Sequence, residues 1–339
     1  MRHVVYGGQF GSEGKGNVSE FLFRSYPSAK KLIAIGENSP NSGHSCTRGK
    51  TRNIPAASFF AEKTFLGPDS VIDLEVLRKD IDAVKVFNPS FEVFIHENAA
   101  VLLRGDDKEE ASVELEERIG STTTGSGYAR HRKMLNRSKH YVVSSLSDEL
   151  DLPFKVLSRE QWMEFVDEVH NNDEILFIFE CSQGLMLDVN LGYYPYVTSR
   201  TTVPQAALIR NGFDPFLWKY CGVYRTFPIR TGGNTGPTGS EEITWESLML
   251  PPEVATVTGR NRRIFKWSQA DFVYSLQLCL PEMLFITHAD YINDDRDLEI
   301  FLRQINNTML EFVGEEQSDD FMILASRKPS EFGVVELEK

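Results

Sequence analysis

Short apolar runs recur along the chain: Val4-Val5-Tyr6, Leu32-Ile33-Ala34-Ile35, Val93-Phe94-Ile95, Ile175-Leu176-Phe177-Ile178-Phe179, Leu284-Phe285-Ile286-Thr287 and Phe321-Met322-Ile323-Leu324. Each is rich in β-branched, aromatic or other large apolar residues, and most are bounded by turn residues, the pattern of buried strands. Between them, residues 73–86, 159–171, 201–211, 269–280 and 296–313 read as helices. Such alternation predicts an α/β fold with a mixed, mostly parallel central sheet flanked by helices. Several strand candidates end in polar, glycine-containing turns, where open α/β sheets seat their ligands.

No repeat and no Pro/Ser/Gly-rich linker divides the 339 residues, so 1–339 are expected to form one large domain. The composition, 41% hydrophobic and 25% charged, is that of a folded soluble chain. Acidic residues exceed basic ones, 49 − 36 = 13, for a net charge of −13. That balance argues against a nucleic-acid partner, which calls for a cationic surface, and leaves room for a local basic pocket. No apolar run approaches the roughly 18 residues of a spanning helix, so no membrane partner is expected. The opening His3-Val4-Val5-Tyr6 is strand-like, without a secretory signal, and points to the cytoplasm. Cys46, Cys181, Cys221 and Cys279 are widely spaced and read as free thiols rather than zinc ligands or disulfides. The charged stretch 104–117 is expected to be a solvated helix or loop, and the acidic stretch 315–320 a surface turn.

The candidate chemistry begins at the first strand. Gly7-Gly8-Gln9-Phe10-Gly11-Ser12-Glu13-Gly14-Lys15-Gly16 follows it and opens a helix. Glycines let backbone N–H groups approach a phosphate, the helix N-terminus adds partial positive charge, and Lys15 adds a full one. The spacing is not that of Walker A: Gly8 lies one residue too far from Gly14-Lys15, and Gly16 stands where Ser or Thr is usual. The expectation is a P-loop-like phosphate cradle.

This loop resembles the GxQxGDEGKG signature of adenylosuccinate synthetases, and the resemblance continues along almost the whole chain. Asn41-Ser42-Gly43-His44-Ser45 is similar to that family's NAGHT segment. Ile119-Gly120 with Thr123-Thr124-Gly125-Ser126-Gly127 is similar to IGTTGxG. Gln183-Gly184 and Tyr194-Pro195-Tyr196-Val197-Thr198-Ser199 match QG…YPYVTS. Thr258-Gly259-Arg260-Asn261-Arg262-Arg263 resembles TGRRRR, and Thr287-His288-Ala289-Asp290 sits where the family has TKLD. The length is similar to that of compact archaeal members.

The resemblance implies a ligase that phosphorylates a purine 6-oxygen and then displaces that phosphate with the amine of aspartate. It implies Mg²⁺ and a homodimer with shared active sites. Lys15 and the loop, Gly11, Glu13, Gly14 and Gly16, would hold the triphosphate with Gly43, His44, Ser45, Arg262 and Asp290. Ser12 and Gly43 would meet the metal. Ser12, Asn41, Thr123, Thr124, Gln183 and Thr198 would surround the purine nucleotide, with Arg137 of the partner subunit reaching its 5′-phosphate. Thr258, Gly259 and Arg260 would take the aspartate, Arg260 clamping its carboxylates. Ser12, Lys15, His44 and Gln183 are the implied catalytic set.

Departures from the family sharpen the expectation. Ser12 replaces the Asp that takes the proton from ring nitrogen 1 of inosinate, and a hydroxyl is a far weaker base. A phage branch with this replacement acts on 2′-deoxyguanylate (dGMP), whose extra 2-amino group a shorter, neutral side chain would accommodate. That branch is thought to use ATP or dATP. His288 replaces the lysine of TKLD while Asp290 is kept, and Arg230-Thr-Gly-Gly-Asn-Thr-Gly-Pro-Thr238 replaces RVGAGPFPT. The leading expectation is therefore dGMP, L-aspartate and ATP or dATP. A compact synthetase using inosinate and GTP, and a nucleotide-binding protein without catalysis, remain the alternatives.

Overall fold

The computed structural model describes residues 1–27, 31–146, 151–314 and 321–335, and the acidic stretch 315–320 lies outside them. Its spine is a ten-stranded sheet. In chain order the strands are β1 (Arg2–Gly7), β2 (Lys31–Gly36), β3 (Lys63–Leu66), β4 (Glu92–His96), β5 (Lys155–Leu157), β6 (Ile175–Glu180), β7 (Lys219–Arg225), β8 (Met283–Thr287), β9 (Met322–Lys328) and β10 (Glu331–Val334). In space they run β10-β9-β8-β7-β1-β6-β2-β3-β4-β5. Every neighbouring pair is parallel except β9–β10. The six apolar runs all seed strands of this sheet.

Four strands carry weaker sequence signals, among them the edge strand β10, Glu-Phe-Gly-Val. β3 is Lys-Thr-Phe-Leu and β5 is Lys-Val-Leu. β7 has polar ends and Gly222 in its middle, yet its last five residues are buried because β1 and β8 cover both its edges.

The helices are α1 (Lys15–Ser25), α2 (Leu74–Lys85), α3 (Asp106–Ser112), α4 (Leu115–Ile119), α5 (Ser126–Asn136), α6 (Arg159–Asn171), α7 (Pro204–Arg210), α8 (Gln269–Leu278) and α9 (Asp295–Val313). The charged stretch 104–117 supplies α3 and the start of α4, and on it Asp106 and Glu110 are buried. Among the described residues no helix is long and apolar enough to cross a membrane.

Strand alternation divides the core into two layers. Val4, Tyr6, Ile33, Ile35, Phe177 and Phe179 face Trp162 and Phe165 of α6 and Leu208 of α7. Val5, Leu32, Ala34, Leu176 and Ile178 face Val18 and Leu22 of α1. Each large side chain so buried contributes about 1.5–3 kcal/mol. A sheet covered on both faces needs near-continuous apolar strands, which is why β6 reads Ile-Leu-Phe-Ile-Phe.

β1 is the switch point. Strands added on one side of it run β6, β2, β3, β4, β5, and on the other β7, β8, β9, β10. The loops leaving β1, β2, β6, β7 and β8 therefore meet at one edge, where a crevice opens. A small antiparallel sheet, in the order Ile229–Arg230, Arg263–Phe265, Glu242–Ile243, stands beside that edge.

Candidate active site

The glycine loop turns over the edge of β1 with Glu13 folded beneath it. The Glu13 carboxylate is fully buried and accepts from the Gly11 N–H at 2.7 Å and from Lys15 Nζ at 2.8 Å. A Cβ on Gly7 would lie 2.3 Å from that carboxylate and would push it off Gly11 and Lys15. Gly14 enters α1 with φ of 90°, a conformation that costs L side chains about 1–2 kcal/mol. Lys15 also donates to the Gln183 carbonyl at 2.6 Å, which ties the loop after β1 to the loop after β6.

Ser12 sits at the crest of the loop, exposed, with φ of 60°. Its carbonyl accepts from Arg225 at 3.1 Å, while its hydroxyl makes no hydrogen bond to any described residue. The backbone is fixed and the residue lines the cleft.

His44, on the loop after β2, is buried against the end of β6. Its Nδ1 lies 2.8 Å from Glu180 Oε1, and Glu180 also accepts from Ser19 Oγ and the Ala56 and Ala57 N–H groups at 2.9–3.2 Å. Burial alone would raise the Glu180 pKa. The bonds and charge of His44, with the other donors, outweigh it and hold the carboxyl below its ordinary range. An anionic Glu180 assigns the proton to Nδ1 and leaves Nε2 among Asn38 Nδ2 at 2.9 Å, Ser42 Oγ at 3.2 Å and Ser182 Oγ at 3.5 Å. The sequence reading did not single out Glu180. Its one signal was a lone carboxylate closing the all-apolar β6.

The loops enclose a cleft of about 430 Å³. Of the residues expected at the site, Gly11, Ser12, Lys15, Asn41, Gly43, His44, Gln183, Thr198, Thr258 and Arg262 line it. Phe10, Ser42, Arg118, Ser199, Arg230 and Thr231 line it as well. Gln183 Nε2 donates to Thr198 Oγ1 at 2.8 Å, and its Oε1 is buried without a protein partner. That orphaned acceptor faces a need that an N–H donor of a ligand would meet. Arg230 lies over the Phe10 ring at 4.6 Å, and burial, with Arg263 nearby, lowers its pKa to about 10.

Arg262 pairs with Glu253 at 2.8 Å, and Glu253 also receives Arg225 and the Tyr291 hydroxyl. Burial would raise the Glu253 pKa, but the Arg225 charge and these bonds bring it down to about 2. His288, next to this group, is driven down to about 3 by burial and by Arg225, so it is a neutral ring at ordinary pH.

Other expected residues stand apart from the cleft. Glu13, Gly14 and Gly16 form the underside of the loop. Ser45 lies in a hairpin against α1, its carbonyl 2.2 Å from where a Gly16 Cβ would be. Thr123 and Thr124 precede α5 behind Ser121 and Thr122, which do line the cleft, and Thr124 Oγ1 is 2.9 Å from Ser126 Oγ. Arg137 ends α5, exposed and outside its own chain's cleft. Gly259 and Arg260 are at the rim, where Arg260 is ion-paired with Glu116. Asp290 is exposed on the turn Ala289–Tyr291, and partial burial raises its pKa.

Among the described residues no three His, Cys, Asp or Glu side chains cluster as a metal cage. Ser12 and Gly43 offer oxygen donors at the cleft. That set suits a magnesium ion whose remaining ligands are phosphate oxygens and water.

The family model described as adenylosuccinate synthetase matches residues 4–159 and 149–308. The chain belongs to the adenylosuccinate synthetase family. Among relatives, it is 31% identical over 302 residues to the N6-succino-2-amino-2'-deoxyadenylate synthase of Vibrio phage phiVC8, covering 84% of each. It is 28% identical over 345 residues to the enzyme of the same name from Acinetobacter phage SH-Ab 15497, covering 90% of this chain and 88% of that one. It is 30% identical over 296 residues to the adenylosuccinate synthetase of Thermococcus onnurineus, covering 85% and 84%. In fold it is similar to the cyanophage S-2L succinoaminodeoxyadenylate synthetase bound to dGMP and dATP, with a TM-score of 0.78 at 24% identity over 96% of this chain and 92% of that one. The family match spans the loop after β1, the His44 loop and the loop after β6.

Proposed function

We propose that the chain joins L-aspartate to the 6-position of dGMP with cleavage of ATP or dATP, giving N6-succino-2-amino-2'-deoxyadenylate, and that residues 1–339 act as one catalytic domain. The observation that carries this reading is Ser12: a short, uncharged, unbonded hydroxyl at the crest of the phosphate loop, in a cleft whose Gln183 Oε1 lacks a donor. Guanine brings two donors that such a wall suits, the ring N1–H and the 2-amino group. The two phage relatives carry the name of this activity.

In the first step the purine O6 attacks the γ-phosphorus, the bond from that phosphorus to the bridging oxygen breaks, a nucleoside diphosphate leaves with the electrons of that bond, and the N1 proton passes to water. In the second the aspartate amine attacks C6, the C6–O bond breaks, and inorganic phosphate leaves with both electrons of that bond. Lys15, tethered by Glu13 and Gln183, supplies fixed positive charge to the transferring group. His44, oriented by Glu180, donates toward the leaving diphosphate. Gln183 and Thr198 orient the purine, Asn41 joins them around the nucleotide, and Thr258 with Arg260 receives the aspartate carboxylates, for which Arg260 must release Glu116. Arg262 and Asp290 are assigned to the triphosphate side. Mg²⁺, when bound through Gly43 and Ser12, would neutralise charge developing on the phosphate oxygens. Arg137 of the partner subunit would complete the site in a homodimer.

The test is phosphate release by purified protein with dGMP, guanylate or inosinate, each with aspartate and ATP, dATP or GTP. Turnover restricted to dGMP with an adenine triphosphate is expected. The retained Asp290 favours a second reading, inosinate with GTP, and preferential turnover of that pair would replace the first.

A further inference from the structure

The short helix α4 bridges the cleft from the α3 side to the loop 231–236. None of its residues is buried, and Glu114 at φ 56° and Gly120 at φ 67° turn the chain at its two ends. Its Leu115, Arg118 and Ile119 line the cleft, as do Thr231 and Thr235 of the facing loop. Asn234 Nδ2 donates to the Glu117 carbonyl at 3.3 Å and to the Arg118 carbonyl at 2.9 Å. A Cβ on Gly120 would lie 2.4 Å from Thr235 Cγ2, so the end of the helix sits hard against the same loop. A further tie is ionic: Glu116 is paired with Arg260, 144 residues away in the chain.

Among the described residues Glu116 is the one carboxylate paired with Arg260. The two side chains keep 33% (Arg260) and 49% (Glu116) exposure, so both charges are still solvated and the pair is easily exchanged. Glu253 differs: it is held by Arg225, Arg262 and Tyr291, and Arg225 is 1% exposed. Arg260 is also placed from its own side. Its N–H donates to Thr258 Oγ1 at 3.4 Å, and its Nη1 would lie 3.2 Å from a Cβ on Gly233. The mobile member of the pair is therefore the carboxylate, and a guanidinium that holds one carboxylate suits another equally well.

We infer that Glu116 is a built-in competitor for the carboxylate seat of the amino-acid substrate. It holds the place on Arg260 that a carboxylate of aspartate takes, so aspartate binds by displacing it, and α4 then loses its ionic tie to the rim. The inference rests on the assignment of Arg260 to aspartate made above. It sets affinity for aspartate below what Arg260 alone would give, by the worth of one exposed ion pair, about two- to fivefold. The purine nucleotide and the triphosphate are assigned to other residues, so the penalty falls on aspartate alone.

The test reads KM for aspartate, and Kd for succinate as an unreactive dicarboxylate probe by NMR titration, in wild-type protein, Glu116→Gln, Arg260→Gln and the double variant. Glu116→Gln is expected to lower both constants by about two- to fivefold, with KM for the purine nucleotide and the triphosphate little changed. Arg260→Gln is expected to raise both by about tenfold or more, and adding Glu116→Gln to it should change nothing further. The double variant separates competition from field. Removing one negative charge near an anionic ligand helps binding through space, and that help persists without Arg260. A gain that survives in the double variant overturns the inference, and so does the absence of any gain in Glu116→Gln. In both cases a raised constant in Arg260→Gln leaves the aspartate assignment standing. Unchanged constants in Arg260→Gln overturn the assignment and the inference together. Aspartate is common to the dGMP and inosinate reactions, so the same readouts apply to either, and for a protein that turns over neither the succinate constants decide.

Discussion

At the scale of single residues the site rests on two side chains with opposite histories. Ser12 stood out in the sequence because a motif of fixed spacing surrounds it, so one changed letter was visible. Its free hydroxyl explains what the change permits. Ser12→Asp returns a carboxylate to the crest of the loop and should turn the ratio of kcat/KM for dGMP against inosinate by about tenfold or more toward inosinate, measured as initial rates of phosphate release. An unmoved ratio would mean that position 12 does not read the purine 2-position. Glu180 was invisible by the same logic. It lies 136 residues from His44, and only the adjacency of β2 and β6 brings the pair together. Glu180→Gln keeps the volume but loses the charge that orients the His44 ring. We expect kcat to fall by about 10²-fold with KM for dGMP little changed. A matching rise in KM would show that the carboxylate shapes the cleft rather than the proton transfer.

At the scale of elements, legibility followed local chemistry. The helix read at 159–171 is α6 with the same bounds, because Ser158 and Gln161 form a reciprocal cap and its buried Trp162, Phe165, Val166 and Val169 fall at helical spacing. Ser158→Ala should cost about 0.5–2 kcal/mol in urea unfolding and leave the dGMP site unaltered. β3, β5, β7 and β10 were not legible. Their sequences are short or interrupted, and it is their neighbours in the sheet that make them strands. The charged stretch 104–117 is mostly exposed, as its composition announced, but its α3 turns Glu110 inward to the Gly125 N–H that opens α5. Long-range pairing is what a chain read in one dimension does not display. The ion-pair cluster of Arg130, Arg200 and Arg210 with Glu37 and Asp69 escaped for that reason, its members coming from α5, the loop after β6, α7 and the loops after β2 and β3.

At the scale of the molecule, a chain of net charge −13 sets Lys15, Arg118, Arg230 and Arg262 in the wall of its cleft and pairs arginines with carboxylates from distant segments. Glu253 is the clearest tie. It joins Arg225 at the end of β7, Arg262 beside the small antiparallel sheet, and Tyr291 after β8. Its folded pKa of about 2, against an ordinary 4.5, fixes the sign of its contribution. A carboxyl whose pKa is depressed by folding stabilises the native state above its unfolded pKa, and that stability drains away as pH falls through the folded value. The difference of about 2.5 units corresponds to about 3 kcal/mol at neutral pH, lost progressively between about pH 4.5 and pH 2. Glu253→Gln removes this contribution at the outset and leaves Arg225 buried without its anion. Urea unfolding followed from pH 7 to pH 3 should therefore show the variant well below wild type at pH 7 and the gap narrowing steadily below pH 4.5. A gap that stays constant with pH would place the value of Glu253 in packing and hydrogen bonding alone, and the small sheet would then be held to the large one by contacts indifferent to charge.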